Sequence, residues 1–276
     1  MTLNHKIGLG SVQFGIPYGI SNINGQTSEN EVGDILKYAS KNGISVIDTA
    51  YGYGNAQKVL GQNKLTDFKI VSKFLSSNED ITHQFKTTLA DLNVNELYGY
   101  LAHSPAELLA NIHQWEELKV LKDSGKIKKI GFSVNTPKEL SQLLNKGLKP
   151  DLIQVPYNYF DDRFKTQIIE LKSKGCEIHT RSAFLQGLFF ADVNKLPSFF
   201  DSVKQTIGNL QATYSKNLPK VLLKYVLSQE FIDIVIIGVE NHYQFASNLE
   251  NIALADNIDC PLIKIDSNII IPSMWP

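Results

Sequence analysis

The chain has 276 residues, 43% of them hydrophobic and 20% charged, which suits a globular protein with a large core and argues against disorder. A formal net charge of -1 supplies no overall basic field, so neither nucleic acid nor an anionic membrane is an expected partner. No stretch approaches the ~18 apolar residues a membrane span needs, and the opening Met-Thr-Leu-Asn-His-Lys is not followed by a long apolar run. No signal peptide is expected, and the cytoplasm is the expected location. Cys176 and Cys260 belong to no CxxC pair or Cys/His cluster and read as free thiols in a reducing compartment.

Short Val/Ile-rich runs alternate with longer helical patterns along the whole chain. Lys6–Val12 reads as a strand. Thr27–Asn42 reads as a helix, opened by the capping-box pair Ser28 and Glu31 and closed by Gly43. Ile44–Asp48 is a second strand and Asn55–Gly61 a short helix; Lys69–Lys73 is a third strand and Asp80–Leu92 its helix. Leu97–His103 is the fourth strand, followed by one helix over Pro105–Ser124. Ile127–Ser133 is the fifth, with a helix over Pro137–Asn145 behind Thr136 as N-cap. Leu152–Val155 and a helix over Phe160–Lys174 come next, then Glu177–Arg181 with helices over Pro197–Ser215 and Pro219–Ser228. Ile232–Ile237 and a helix over His242–Asn251 complete eight β-then-α units, and the residues after about Ile252 read as a tail.

Continuous apolar strands are those covered on both faces. Eight units without a composition break predict a single (β/α)8 TIM barrel spanning the chain, whose length is close to the roughly 250 residues typical of that fold. A doubly wound open sheet is the alternative, and no G-x-G-x-x-G follows the first strand to support it.

In such a barrel the reactive groups come from the C-terminal ends of the strands. Strand two ends at Asp48, strand three at Lys73 and strand four at His103, and Tyr53 lies just beyond strand two in Asp48-Thr-Ala-Tyr-Gly-Tyr-Gly54. Each alone has a bland reading as a cap, a solvated charge or a turn residue. Together, from three adjacent units, they converge on one mouth, and the chemistry that fits is proton donation to a carbonyl. A free phenol has a pKa of about 10, too high to donate readily near neutral pH. An ammonium about 4 Å away, at an effective dielectric of about 20, is worth roughly 4 kcal/mol toward proton release. Asp48 would hold the ammonium in place and charged, and His103 would orient the substrate oxygen. No metal-ligand set is visible, and no metal is expected.

Asp48, Tyr53, Lys73 and His103 resemble the Asp/Tyr/Lys/His tetrad of the aldo-keto reductases. Other segments are similar to that family in the same order: Gly8–Gly15, Ile47–Gly54, Tyr100–Pro105, Gly125–Ser133, Gln154-Val-Pro-Tyr-Asn158, and Gly238 with Gln244 and Asn248. The resemblance implies an enzyme reducing an aldehyde or ketone with NADPH or NADH, with Tyr53 as general acid. It also implies that Ser11 belongs to the cofactor site, that Ser133 and Gln154 hold the nicotinamide carboxamide, and that Tyr157 stacks on the ring. Ser182, Leu185 and Gly187 would cradle the pyrophosphate, and Gln244 and Asn248 would meet the adenine end.

Two departures bear on these roles. The family's Ser-Asn pair after strand five is here Ser133-Val134-Asn135. After the last strand the run is Gly238-Val-Glu-Asn-His242, with Glu240 standing where a cation would meet a 2′-phosphate and no Lys or Arg between Gly238 and Glu250. A carboxylate repels a phosphate dianion and can instead accept from an unphosphorylated ribose, so weak NADPH preference or use of NADH is expected. Gln13–Asn22, Ser133–Pro137 and Arg181–Gly187 resemble a bacterial subgroup linked to surface-polysaccharide or nucleotide-sugar pathways, and Gln13, Phe14, Tyr18, Tyr51, Phe74 and Tyr159 would line a mouth for a sugar-like carbonyl. Two other readings remain open at this level. One is a slow, cofactor-sensing subunit of the same fold; the other is a cofactor-free lyase using Lys73 as a Schiff base. The oligomeric state is not readable.

Overall fold

The computed structural model describes residues 3–76, 80–259, 261 and 265–276. Eight parallel strands close in sequence order: β1 (Ile7–Gly10), β2 (Val46–Asp48), β3 (Lys69–Phe74), β4 (Leu97–Ala102), β5 (Ile127–Ser133), β6 (Leu152–Pro156), β7 (Glu177–Arg181) and β8 (Ile234–Gly238). β8 returns to β1 with Gly10 opposite Gly238. The open-sheet alternative is thereby removed, since no sheet edge is left.

Helices cover the outside: α1 (Val12–Gly15), α2 (Glu29–Lys41), α3 (Ala56–Gly61), α4 (Ile81–Leu92), α5 (Pro105–Ala110), α6 (Gln114–Asp123), α7 (Pro137–Asn145), α8 (Lys165–Ser173), α9 (Asp201–Tyr214), α10 (Leu218–Leu227) and α11 (His242–Leu249). Several boundaries differ from the sequence reading by a few residues, and three of the differences have a clear local cause. Val12 opens a one-turn helix instead of ending β1, because the chain turns at Ser11 to cross the barrel rim. The long pattern 105–124 breaks at Asn111, whose side chain donates to Ser76 and Glu107 carbonyls and so ends α5. α8 starts at Lys165, because 158–161 first form a small antiparallel bridge between Asn158 and Asp161.

Local capping follows the sequence closely. Thr136 and Glu139 make a complete capping box with Pro137 in the first turn of α7. The similar pair on α2 is used differently. The Glu31 N–H donates to Ser28 Oγ at 3.4 Å, but the Glu31 carboxylate accepts the His242 N–H at 2.6 Å and lies 2.7 Å from its Nδ1. The carboxylate thus ties the start of α2 to the start of α11.

The core has layers set by strand alternation. Val46, Val71, Leu101, Leu152, Ile234 and Ile236 fill the barrel interior. Their neighbours along each strand, such as Ile47, Ile70, Ile153 and Val155, face outward into the larger barrel–helix layer. Cys176, buried there as a free thiol, has its pKa pushed up to about 12 by burial; Cys260 lies outside the described residues. A further apolar cluster joins the segment after β7, α9, α10 and the tail through Phe189, Phe200, Ile207 and Ile270. The lower end of the barrel is closed by Glu177, which accepts from Tyr98 Oη at 2.6 Å and lies 2.5 Å from Lys129 Nζ and 2.7 Å from His179 Nε2. Burial opposes ionisation of Glu177, but those hydrogen bonds outweigh it and hold the carboxyl well below the usual range. The chemistry is left to the opposite rim.

Gly131 shows how tightly the strands pack. A Cβ there would lie 1.7 Å from the Leu152 carbonyl oxygen on the neighbouring strand, where no rotamer change can relieve it. Gly131→Ala is expected to destabilise the fold by about 2 kcal/mol or more, read as a lowered urea midpoint; a midpoint equal to wild type would contradict this packing.

Candidate active site

Strand alternation carries Asp48, Lys73 and Gln154 to the upper rim. Val71 and Lys73 share the inner face of β3, while Ser72 and Phe74 point outward, Ser72 to Gln57 Nε2 at 2.7 Å. The Lys73 ammonium is 1% exposed and uses its three donors on Asp48 Oδ2 at 2.6 Å, the Thr49 carbonyl at 3.1 Å and Tyr53 Oη at 3.3 Å. Burial alone would lower the Lys73 pKa; the Asp48 charge, with Tyr53 adding to it, outweighs burial and the net shift is upward. Lys73 therefore stays protonated and has no lone pair to offer a carbonyl, which removes the Schiff-base reading.

Tyr53 is fixed by its turn. Its N–H donates to Ala50 O at 3.1 Å and its carbonyl accepts from Ala56 N at 3.1 Å. Gly54 follows at φ 57, where an added Cβ would sit 2.5 Å from the Gly15 carbonyl. Only glycine allows this close approach of the turn to α1. His103, just past β4, donates its N–H to Phe74 O at 3.0 Å and sets its ring edge-on to Tyr53, with centroids 5.6 Å apart. Burial, then the Lys73 and Arg181 charges, lower its pKa to about 3, so its ring is neutral at physiological pH.

Asp48 serves a second partner. Its Oδ1 accepts from Gln154 Nε2 at 2.7 Å, which fixes the carboxamide and leaves Gln154 Oε1 buried without a partner among the described residues. Ser11 Oγ, beside it on the rim, is orphaned in the same way. Buried polar atoms left unpaired are costly unless a ligand completes them.

A cleft runs from this cluster across the barrel rim. Its walls include Ser11, Gln13, Tyr18, Asp48, Tyr53, Arg181, Ser182, Gly187 and Gly238, and it ends at Glu240 and Gln244. Two loops meet over it. The segment after α1 is bound to the segment after β7 by Ile20 N–H to Gln186 O at 2.9 Å and Gln186 Nε2 to Tyr18 Oη at 2.6 Å. The β7 segment passes through positive φ at Ser182, Leu185, Gln186 and Gly187. A second, adjoining cleft holds Gln211, Ser215, Lys216, Gly238, Glu240, Gln244 and Asn248.

The sequence-derived site is therefore brought together with specific exceptions. Asp48, Tyr53, Lys73 and His103 form one cluster, and Ser11, Ser182, Gly187, Gly238, Glu240, Gln244 and Asn248 line the two clefts. Ser133 is buried at the end of β5, opposite Gln154 in register, and lines neither cleft. Leu185 is fully buried in the apolar cluster beneath the loop and lines neither cleft. Tyr157, expected to stack on the nicotinamide, lies elsewhere. It is 1% exposed on the outside of the barrel, stacked on Tyr225 with centroids 6.4 Å apart and edge-on to Phe231. It lies an odd number of residues from Gln154, so the extended chain turns the two to opposite faces. Phe14, Phe74 and Tyr159, expected at the mouth, are likewise buried in the apolar clusters, and Phe184 and Phe190 line the cleft instead. Sequence reasoning missed two cations: Arg181 at the last residue of β7 and Lys216 between α9 and α10. Arg181 could have been found, because it stands at a strand end.

A parallel barrel with a buried Lys–Asp pair under a tyrosine and a neutral histidine defines a barrel enzyme suited to proton transfer at a carbonyl. Comparison with known proteins makes the class specific. Residues 6–258 match the Aldo/keto reductase family, and the chain belongs to it. The aldo-keto reductase YhdN of Bacillus subtilis is 26% identical over 274 residues, covering 84% of this chain and 80% of the relative. The glyoxal reductase of the same organism is 26% identical, with 74% and 72% covered. A solved aldo-keto reductase from Bacillus halodurans superposes with a TM-score of 0.70 at 19% identity, over 98% of this chain and 92% of that one, a likeness of fold. Among the described residues no helix is long and apolar enough to cross a membrane, and no cluster of three or more metal-ligating side chains occurs.

The His103 shift has a consequence for stability. An unfolded chain protonates this histidine below about pH 6.5, whereas the folded one resists until about pH 3. A depressed pKa favours the native state above the unfolded value and loses that contribution as pH falls through the window between them. Wild type is therefore expected to lose more stability than His103→Gln between pH 7 and pH 4, read by urea denaturation; parallel losses would refute the neutral assignment.

Proposed function

We propose that this protein is a nicotinamide-dependent carbonyl reductase in which Tyr53 is the proton donor. The observation that supports it best is the buried Lys73 ammonium shared between Asp48 and Tyr53 Oη. At 3.3 Å and an effective dielectric of about 20, a full charge favours the phenolate by on the order of 5 kcal/mol, before Asp48 on the far side of the ammonium subtracts from it. Tyr53 would give its proton to the substrate oxygen, Lys73 would hold the resulting phenolate, and Asp48 would keep Lys73 charged. The neutral His103 ring can donate one N–H to the same oxygen, which orders the carbonyl and stabilises negative charge developing on it.

The residues present fit a dinucleotide. Ser11 Oγ and Gln154 Oε1 are orphaned beside Asp48, and the left-handed run through Gly187 offers a concave backbone to a pyrophosphate. A bound reduced nicotinamide would supply the hydride. Gln154, fastened by Asp48, would orient it through Oε1; Ser182 and Gly187 would cradle the phosphates; Gly238, Glu240, Gln244 and Asn248 would hold the adenosine end. With Tyr157 outside the barrel, Arg181 is the side chain at the nicotinamide end of the β7 wall.

Glu240 bears on cofactor choice. Asn24 Nδ2 donates to its Oε2 at 3.0 Å, holding the carboxylate at the cleft. Lys216 reaches the neighbouring cleft but is exposed, and a solvated surface cation contributes at most about 1 kcal/mol. The tethered acid dominates, so NADH is proposed to bind at least as tightly as NADPH. For the substrate, Gln13 and Tyr18 with Phe184 and Phe190 give a polar-aromatic mouth compatible with a sugar-like aldehyde or ketone; the relatives named above carry no polysaccharide or nucleotide-sugar assignment, so that substrate class rests on the mouth alone.

Tyr53→Phe is expected to lower kcat/KM for carbonyl reduction at least about a hundredfold while the NADH dissociation constant, read by fluorescence quenching, stays within threefold. Turnover surviving in that variant would take Tyr53 out of its role. Glu240→Lys is expected to shift the NADPH/NADH affinity ratio about tenfold or more toward NADPH; an unmoved ratio would separate Glu240 from the 2′ position.

A further inference from the structure

Arg181 is a partly buried cation that the tetrad chemistry does not use. It lies in the cleft wall with Asp48 and Tyr53. Its guanidinium leans toward the end of β5, where Nη2 donates to Val134 O at 3.2 Å and Asn135 Oδ1 at 2.5 Å, and Nη1 donates to Ser182 Oγ at 3.3 Å. All three acceptors are neutral, and among the described residues no carboxylate pairs with it. The Asp161 carboxylate, in the segment after β6, is engaged by Arg163, whose Nε and Nη2 reach it at 2.7 and 2.9 Å. The other charges at this end cancel: Asp48 offsets Lys73, and His103 is neutral. Among the described residues this end of the mouth therefore carries one uncompensated positive charge, and the guanidinium retains donors because three of its five N–H groups are engaged there.

A partly desolvated charge without a counter-ion is destabilising unless a ligand supplies one, and a guanidinium matches carboxylate or phosphate oxygens. The guanidinium thus bridges Ser182 at the start of the loop after β7 and the Val134–Asn135 segment after β5, on the cleft wall that also holds Asp48 and Tyr53. We propose that Arg181 recognises an anionic group on the substrate, so that the preferred carbonyl compound carries a carboxylate or phosphate. The proposal rests on the reductase reading above for the word substrate, while the anion site stands on the unpaired guanidinium.

The test uses the cofactor-loaded protein, as wild type, Arg181→Gln and Arg181→Lys. Selectivity is measured as kcat/KM for 4-carboxybenzaldehyde over its neutral methyl ester, and for glyoxylate over acetaldehyde. Wild type is expected to favour the anionic member of at least one pair tenfold or more; the ratio should fall to within twofold of unity in Arg181→Gln and be partly kept in Arg181→Lys. A ratio near unity in wild type, or one unchanged in Arg181→Gln, overturns the proposal. A tenfold loss of NADH affinity in Arg181→Gln with the selectivity ratio intact also overturns it, assigning the guanidinium to the cofactor's pyrophosphate. Calorimetric titration with benzoate and benzamide reads the site without turnover. Benzoate bound tenfold tighter, with that preference lost in Arg181→Gln, supports the anion site; equal binding in wild type counts against it. Absence of turnover on every carbonyl, with the benzoate preference present, would fail the reductase reading and leave the anion site standing.

Discussion

A single lysine ammonium, taken almost entirely out of water, organises this rim. An isolated charge at that depth would be expelled or neutralised. Lys73 avoids both because Asp48, the Thr49 carbonyl and the Tyr53 hydroxyl take all three of its protons in well-formed hydrogen bonds. Each partner is thereby placed. Asp48 is held where its second oxygen can fasten Gln154, and Tyr53 is held where its hydroxyl faces the cleft. The pair is buried because the barrel interior supplies layered aliphatic packing immediately below it, from Val71, Leu101 and Leu152.

The scaffold and the site share one geometric rule. Parallel strands project alternate residues inward and outward, so the inward residue at each strand's upper end becomes part of a common mouth. The loops then add what strands cannot. The positive-φ segment after β7 wraps over the cleft, and its hydrogen bonds to the segment after α1 make the cover continuous from Tyr18 to Gln186. Charge is distributed unevenly along the result: an unpaired Arg181 at the tetrad end and a tethered Glu240 at the other. That polarity distinguishes the two ends of whatever lies in the cleft.

Some of this was legible in the residues themselves. Eight apolar runs, each followed by a helical pattern, implied the closed barrel, because a parallel strand buried on both faces leaves a continuous Val/Ile signature. Asp48, Lys73 and His103 were legible as strand-end residues, and Tyr53 as a turn residue beside them. Tyr157 was misplaced although the relevant parity was readable: three positions from Gln154 in extended chain means the opposite face. Phe14 and Phe74 were misread for a related reason, since an aromatic near a strand end is as suited to the outer core as to a mouth, and only the facing helices decide which it fills.

The period of the elements, their order and the chemical groups at strand ends follow from the residues alone, because they depend on local alternation and capping. Which of those groups meet follows from the folded barrel. Glu31, spaced to complete its own helix cap, was drawn instead to His242, 211 positions away. The acid–cation contest at the far end of the cleft involves Asn24, Lys216 and Glu240 from three separate segments. Among the described residues, the neutral acceptors that Arg181 meets come from just beyond β5 and β7, the strands packed on either side of β6, and no window along the chain contains that arrangement. Long-range pairing is set by how the barrel closes, and closure is a property of the whole sheet that no segment carries.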